Sequence, residues 1–408
     1  MKKIKFSVLA FSCFSFFNVF CTELNLVRID GGLIRGEDSI MGYEYRGIPY
    51  AEPPVGLLRF ANPKPYNQSW DGVRDYVKFG ASCAQYSHFG YSYLGEEDCL
   101  TLNVYVPRAV REGSVKTPVI FFIHSGSFMY GGSNVYGPEN FLNNQNMILV
   151  TLNYRVGVLG FLSTEDQSLP GNFGLKDQVE ALKWVQRNIE AFNGDPKQVT
   201  LAGLSAGGAS VHLHYMSPLT EGLFNNGISH SGCALNPWVM QERAKEKAYD
   251  LGSSMECEFT DHVSLVKCLR TKPAEDLVMF AKRYQTFMYN PFSPFSAVIE
   301  APSETAFITE SPLSYLESGK FKTIPWLLSQ THDEGLYPAA EFAETQKLNV
   351  VNDRWLELAP SILDFDGAIA DDETKMRWSI EIKNKYFDSN LISLETFGGF
   401  RQVMIMNS

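Results

Sequence analysis

Three short runs of apolar residues dominate what this chain can fold into: Val119 to Ile123 (VIFFI), Met147 to Leu152 (MILVTL) and Val199 to Leu204 (VTLAGL). Each is continuous rather than alternating, the pattern of a strand buried on both faces. Ile324 to Leu328 (IPWLL) is read as a fourth. Between the second and third, Leu175, Val179, Leu182, Val185, Ile189 and Phe192 recur at helical spacing, and Asn193-Gly194 supplies the stop. Asp195-Pro196 then turns the chain into the next strand. Strand, helix, strand with short connections predicts an α/β fold, a mostly parallel central sheet flanked by helices. From about Ala244 to Glu317 the pattern is helical and irregular. It predicts a cap-like insertion over one end of the sheet, not a separate domain.

The formal net charge is −11 and no stretch reads as a basic face, which argues against nucleic acid as a partner. Lys2, Lys3 and Lys5 precede an apolar run to about Phe20, which reads as a signal peptide over residues 1–21, cut near Cys21. The run is short for a membrane span, and no other stretch is long and apolar enough. The expected product is a secreted protein. Beyond the leader the cysteines are Cys83, Cys99, Cys233, Cys257 and Cys268. In a secreted chain near pairs suggest disulfides, here Cys83 with Cys99 and Cys257 with Cys268, leaving Cys233 as an odd, buried thiol. Metal binding is the weaker reading, since no CxxC or paired His spacing accompanies them. Asn67-Gln68-Ser69 is an N-glycosylation sequon.

Val199 to Ser210 (VTLAGLSAGGAS) carries most of the chemistry. Gly203-Leu204-Ser205-Ala206-Gly207 fits G-x-S-x-G, follows a strand and enters a helix. A serine on such a turn is strained and exposed at the strand tip, and small neighbours relieve the crowding. The helix N-terminus that follows favours negative charge. His124-Ser125-Gly126-Ser127-Phe128 leaves the strand VIFFI, where a loop can aim backbone N–H groups at an oxyanion together with the amide of Ala206.

With these segments in view the chain resembles the type-B carboxylesterase family from about Leu26 to Phe400. Arg46 to Phe60 (RGIPYAEPPVGLLRF), Glu97 to Val104 (EDCLTLNV), Asn153 to Leu162 (NYRVGVLGFL) and Asn172 to Gln178 (NFGLKDQ) carry the likeness. The resemblance implies an α/β-hydrolase fold and hydrolysis of small carboxylic esters without a cofactor or metal. It implies Ser205 as nucleophile, Gly126, Ser127 and Ala206 as oxyanion donors, and Glu334 as the triad acid. Trp238 matches a wall of the acyl pocket, Arg59 with Glu97 and Arg155 with Asp177 match two ion pairs, and the family's disulfides fall on the two cysteine pairs above. Leu204 and Gly335-Leu336-Tyr337-Pro338 resemble insect general esterases.

Three departures qualify this. The oxyanion loop carries Ser125 and Ser127 where relatives are richer in Gly; Ser127 should be tolerated, and Ser125 is the one expected to strain the loop. The Cys83–Cys99 loop has no Trp to hold a quaternary ammonium, and Tyr86, Phe89, Tyr91 and Tyr93 do not match it, so choline esters are not expected substrates. All seven histidines (His88, His124, His212, His214, His230, His262 and His332) precede Glu334, whereas the family's triad runs Ser, Glu, His. Residues 22–408 are therefore read as a hydrolase domain lacking its C-terminal part and its base, inactive or nearly so. The alternative is a non-catalytic secreted binder or a scavenger of esters. Oligomeric state is not legible.

Overall fold

The computed structural model describes residues 24–405 apart from 88–89, 91, 140–145, 370 and 389–390. The segment expected as a signal peptide, His88, Phe89 and Tyr91 lie outside the described residues. The centre is an eight-stranded sheet. Its strands are β1 (Glu37–Asp38), β2 (Gly42–Pro49), β3 (Thr101–Pro107), β4 (Thr117–Ile123), β5 (Ile148–Leu152), β6 (Gly194–Leu204), β7 (Asn226–His230) and β8 (Trp326–Ser329). They lie in the order β8-β7-β6-β4-β5-β3-β2-β1. The five strands β8, β7, β6, β4 and β5 are mutually parallel, and β3, β2 and β1 run antiparallel to their neighbours.

One face of the sheet is packed throughout its centre, while in β4 the alternate residues Ile120 and Phe122 are only half-buried. Val150, Phe121 and Leu201 sit side by side across β5, β4 and β6, and all three are buried. Helix α1 (Phe173–Asn188) covers the sheet with Leu175, Val179, Leu182 and Val185, as their spacing predicts, and a short 3₁₀ turn over Ile189–Phe192 leads to Asn193 in the left-handed region at φ 66°. The turn expected at Asp195-Pro196 is instead an irregularity inside β6. The register with β4 shifts between Gly194 and Val199, and Asp195 folds back to accept a hydrogen bond from the Lys197 amide at 2.9 Å. Strand β8 departs further from expectation. It is the sheet edge among the described residues, and Leu327 and Leu328 are 53% and 57% exposed.

Helix α2 (Ala206–Met216) follows β6 directly and is buried along its length. The segment expected as a cap contains α3 (Ala244–Ser254) and α4 (His262–Leu269), and Leu251, Leu265 and Phe295 belong to the same core as the sheet. A second core forms farther along, where α5 (Leu336–Phe342), α6 (Trp355–Ile362), α7 (Asp372–Phe387) and α8 (Phe397–Ile405) pack Phe342, Trp355, Phe387 and Phe400 together. No helix among the described residues is long and apolar enough to cross a membrane.

Both cysteine pairs are joined, Cys83 to Cys99 and Cys257 to Cys268, and Cys233 is a free thiol, half-buried rather than buried as expected. Arg59 clamps the two disulfide regions together. Its guanidinium donates to both oxygens of Glu97 at 2.6 Å and to the carbonyls of Leu269 and Arg270 at the end of α4. Arg155 and Asp177 form the other expected pair, a bidentate bridge at 2.7 and 2.8 Å with the Arg155 amide as a third donor.

Candidate active site

The tip of β6 is built from small residues because backbone must pass close to backbone there. A Cβ on Gly203 would lie 2.3 Å from the carbonyl of Gly207, one on Gly207 would lie 2.2 Å from Ile123 O, and one on Gly232 would lie 2.1 Å from Ser205 O. This packing drives the first turn of α2 against the end of β4. Ser205, between β6 and α2, has φ 54° and ψ −117°, a conformation unfavourable for any residue with a side chain. Its backbone is fixed on both sides. The Ser205 amide donates to His230 O at 2.8 Å, and Ser205 O accepts from the Ala209 amide at 2.8 Å. The side chain is partly exposed, and the hydroxyl makes no hydrogen bond among the described residues.

The loop after β4 reaches the same place. Gly126 has φ 116°, and Ser127 and Phe128 follow in the left-handed region at 55° and 58°. The strain thus falls on Ser127 and Phe128 and not on Ser125, correcting the expectation above. Ser125 has an ordinary backbone, and its hydroxyl pairs with Tyr136 OH at 2.6 Å. The strained pair is held by its carbonyls. Ser127 O accepts from Ser293 Oγ at 2.8 Å, and Phe128 O accepts from the Gly157 amide at 2.6 Å. Gly126 must be glycine, since a Cβ would meet Tyr130 O at 1.9 Å. The amides of Gly126, Ser127 and Ala206 donate to no other backbone group among the described residues. The contact of Gly207 with Ile123 and His124 brings the last of them to the loop that carries the first two.

Glu334 lies in the loop between β8 and α5. Its Oε1 accepts from Ser231 Oγ at 2.6 Å and from the Thr331 amide at 2.7 Å. Ser231 directly follows β7, so the bond ties the acid's loop to the strand beside Ser205. Helix α8 closes over the same loop. Arg401 pairs with Asp333 at 3.0 Å, and Gly335 leaves no room for a Cβ against Arg401 O. Ser231, Ser293 and Arg401 were not singled out from the sequence. Each acts across a long sequence separation and stands in no short motif.

No histidine ring is hydrogen-bonded to Ser205 or Glu334 among the described residues. Burial lowers His124 and His212 to about 4 and His214 to about 3, so all three are neutral. Their rings are taken up by Ser125 O, the Ala234 amide and Gln178 respectively. His230 pairs with Ser329 Oγ at 2.5 Å, His332 is exposed beside Asp333, and His262 binds Asp166 and Tyr249.

Trp238 packs on Phe128 with ring centroids 6.1 Å apart and lines a cavity of about 230 Å³ that Ser293 also borders. Charged residues line the same cavity: burial raises Asp364 to about 7 and lowers Lys247 to about 8. Asn67 is exposed.

Residues 23–396 match the Carboxylesterase family. Esterase-5B of Drosophila persimilis is 40% identical over 398 residues, 94% of this chain and 73% of that protein. Venom carboxylesterase-6 of Apis mellifera is 41% identical over 366 residues, 88% of this chain and 65% of that protein. Esterase P of Drosophila melanogaster is 37% identical over 399 residues, again 94% and 73%. The chain thus spans 65–73% of the length of these relatives. It belongs to the carboxylesterase family.

Proposed function

We propose that this carboxylesterase-family chain is secreted and takes the acyl group of small carboxylic esters onto Ser205. The observation that carries the proposal is the elbow itself. A serine with a strained backbone, whose hydroxyl makes no hydrogen bond among the described residues, stands at the N-terminus of a buried helix, beside a loop whose Gly126 and Ser127 amides donate to no other backbone group among the described residues. Ser205 Oγ attacks the ester carbonyl, and the carbonyl oxygen becomes an oxyanion. The amides of Gly126, Ser127 and Ala206 hold that charge; losing one such donor typically costs about a hundred- to a thousand-fold in rate. The carbonyl carbon then releases the alcohol, which takes the proton, and water frees the acid from Ser205. Trp238, backed by the buried Phe128, walls the acyl side. Glu334 holds the place of the acid that would orient an imidazole at Ser205. Asn67 carries glycan, and the two disulfides fit an oxidising compartment.

With no imidazole at Ser205 among the described residues, the serine is a weak nucleophile. This favours a second reading in which the chain acylates slowly and acts as a scavenger. Added imidazole distinguishes the two from an unreactive fold. We expect p-nitrophenyl acetate hydrolysis to rise at least tenfold with added imidazole, over a Ser205→Ala chain in the same buffer. Equal rates in the two chains at every imidazole concentration contradict the proposal. Fast turnover without imidazole contradicts the absence of a base and leaves the Ser205 assignment standing.

A further inference from the structure

A carboxylate, an imidazole and a hydroxyl stand in series far in sequence from Ser205, on residues to which nothing above gives a role. Asp166 sits in the loop before α1, Tyr249 on α3, and His262 is the first residue of α4. Asp166 Oδ1 accepts from Thr164 Oγ1 at 2.7 Å and from the Ser168 amide at 2.9 Å. Asp166 Oδ2 meets His262 Nδ1, and the Tyr249 hydroxyl lies 2.6 Å from His262 Nε2. Burial alone would raise the Asp166 carboxyl. The hydrogen bonds from Thr164, His262 and Ser168 more than offset this and hold it below the ordinary carboxylate range.

The order of protons follows. An ionised Asp166 only accepts, so Nδ1 of a neutral His262 carries the ring proton. Nε2 is then the acceptor and Tyr249 OH the donor. The Asp261 side chain caps the start of α4 in a capping box with Ser264, and the Cys257–Cys268 disulfide ties α4 to the loop before it, so His262 sits on a fixed support. Lys245, one turn before Tyr249 on α3, places its ammonium 5.8 Å from the centre of the phenol ring, where it favours negative charge developing on that ring. The whole set is partly exposed.

We propose that Tyr249 is a second covalent acceptor site, activated by His262 and Asp166, for organophosphorus esters and fluorides with a good leaving group. With a fluorophosphonate, Tyr249 Oη attacks phosphorus and the Oη–P bond forms. The P–F bond breaks, fluoride leaves, and the phenol proton passes to His262 Nε2, whose positive charge Asp166 offsets. His262 then returns the proton to solvent. The product is a phosphonylated tyrosine. This site shares no residue with the Ser205 site and stands or falls separately from it.

The test uses the full chain carrying Ser205→Ala, incubated with a fluorophosphonate and read by peptide mass spectrometry. Adduct on Tyr249 is expected to form at least tenfold faster than on the exposed Tyr337, and to fall at least tenfold with His262→Gln. Asp166→Asn gives a second reading if His262→Gln does not fold, with a smaller expected loss. Labelling of Tyr249 no faster than Tyr337, or unchanged in either variant, overturns the proposal and leaves the three residues as a tie between the loop and the cap helices.

Discussion

Replacing Asp177 by Ala is expected to cost about 3–5 kcal/mol of stability, because it leaves the Arg155 guanidinium charged and buried without its partner. Both side chains are almost wholly inside, at 4% and 0% exposure. Burial raises the Asp177 carboxyl and the Arg155 guanidinium pulls it back, so the pair is a balance of large opposing effects. What makes breaking it costly is the number of groups it holds. Asp177 accepts from Arg155 Nε, from the terminal guanidinium nitrogen and from the Arg155 amide, and Arg155 also reaches the Ala61 carbonyl at 2.8 Å. The pair therefore joins α1, the chain after β5 and the N-terminal loop. Denaturant titration checks the figure. A loss below about 1 kcal/mol would mean that water or a neighbouring group compensates Arg155 in the variant.

Gly207→Ala is expected to slow covalent reaction at Ser205 by about a hundred-fold. The new methyl meets the Ile123 carbonyl at 2.2 Å and the His124 carbonyl at 3.0 Å, both backbone atoms that no rotamer change can move. The start of α2 must therefore retreat from β4. That separates the Ala206 amide from Gly126 and Ser127, and a displacement of about 1 Å at a reacting site can cost a hundred-fold. The same retreat costs about 1–3 kcal/mol of packing. Labelling rate and thermal unfolding measured together separate the two effects. An unchanged labelling rate would show that Ala206 does not share an oxyanion with the loop.

The strained turn at Ser205 was legible in the sequence because it rests on local constraints. Ser205 needs small residues at fixed offsets, and Gly203 and Gly207 stand at those offsets. The paired cysteines are close in sequence, and the bridges join them. What escaped is what depends on distant partners. The bond from Ser293 to Ser127 spans 166 residues and exists because a cap loop packs on the strained turn. The bond from Ser231 to Glu334 spans 103. The run Ile324 to Leu328 looks like any buried strand, yet Leu327 and Leu328 are exposed. Position within a sheet is set by neighbours, and a run of four or five apolar residues carries no record of them. Strain was assigned to Ser125 by counting missing glycines, but the turn places its left-handed residues at Ser127 and Phe128, where carbonyl partners hold them.

Whether Ser205 is the acyl acceptor is measured by the rate at which a fluorophosphonate modifies it in the full chain, followed by peptide mass spectrometry with and without imidazole. Ser205 is expected to be modified faster than any other serine, and faster still when imidazole is present. A Ser205 that reacts no faster than an exposed serine under both conditions would contradict it.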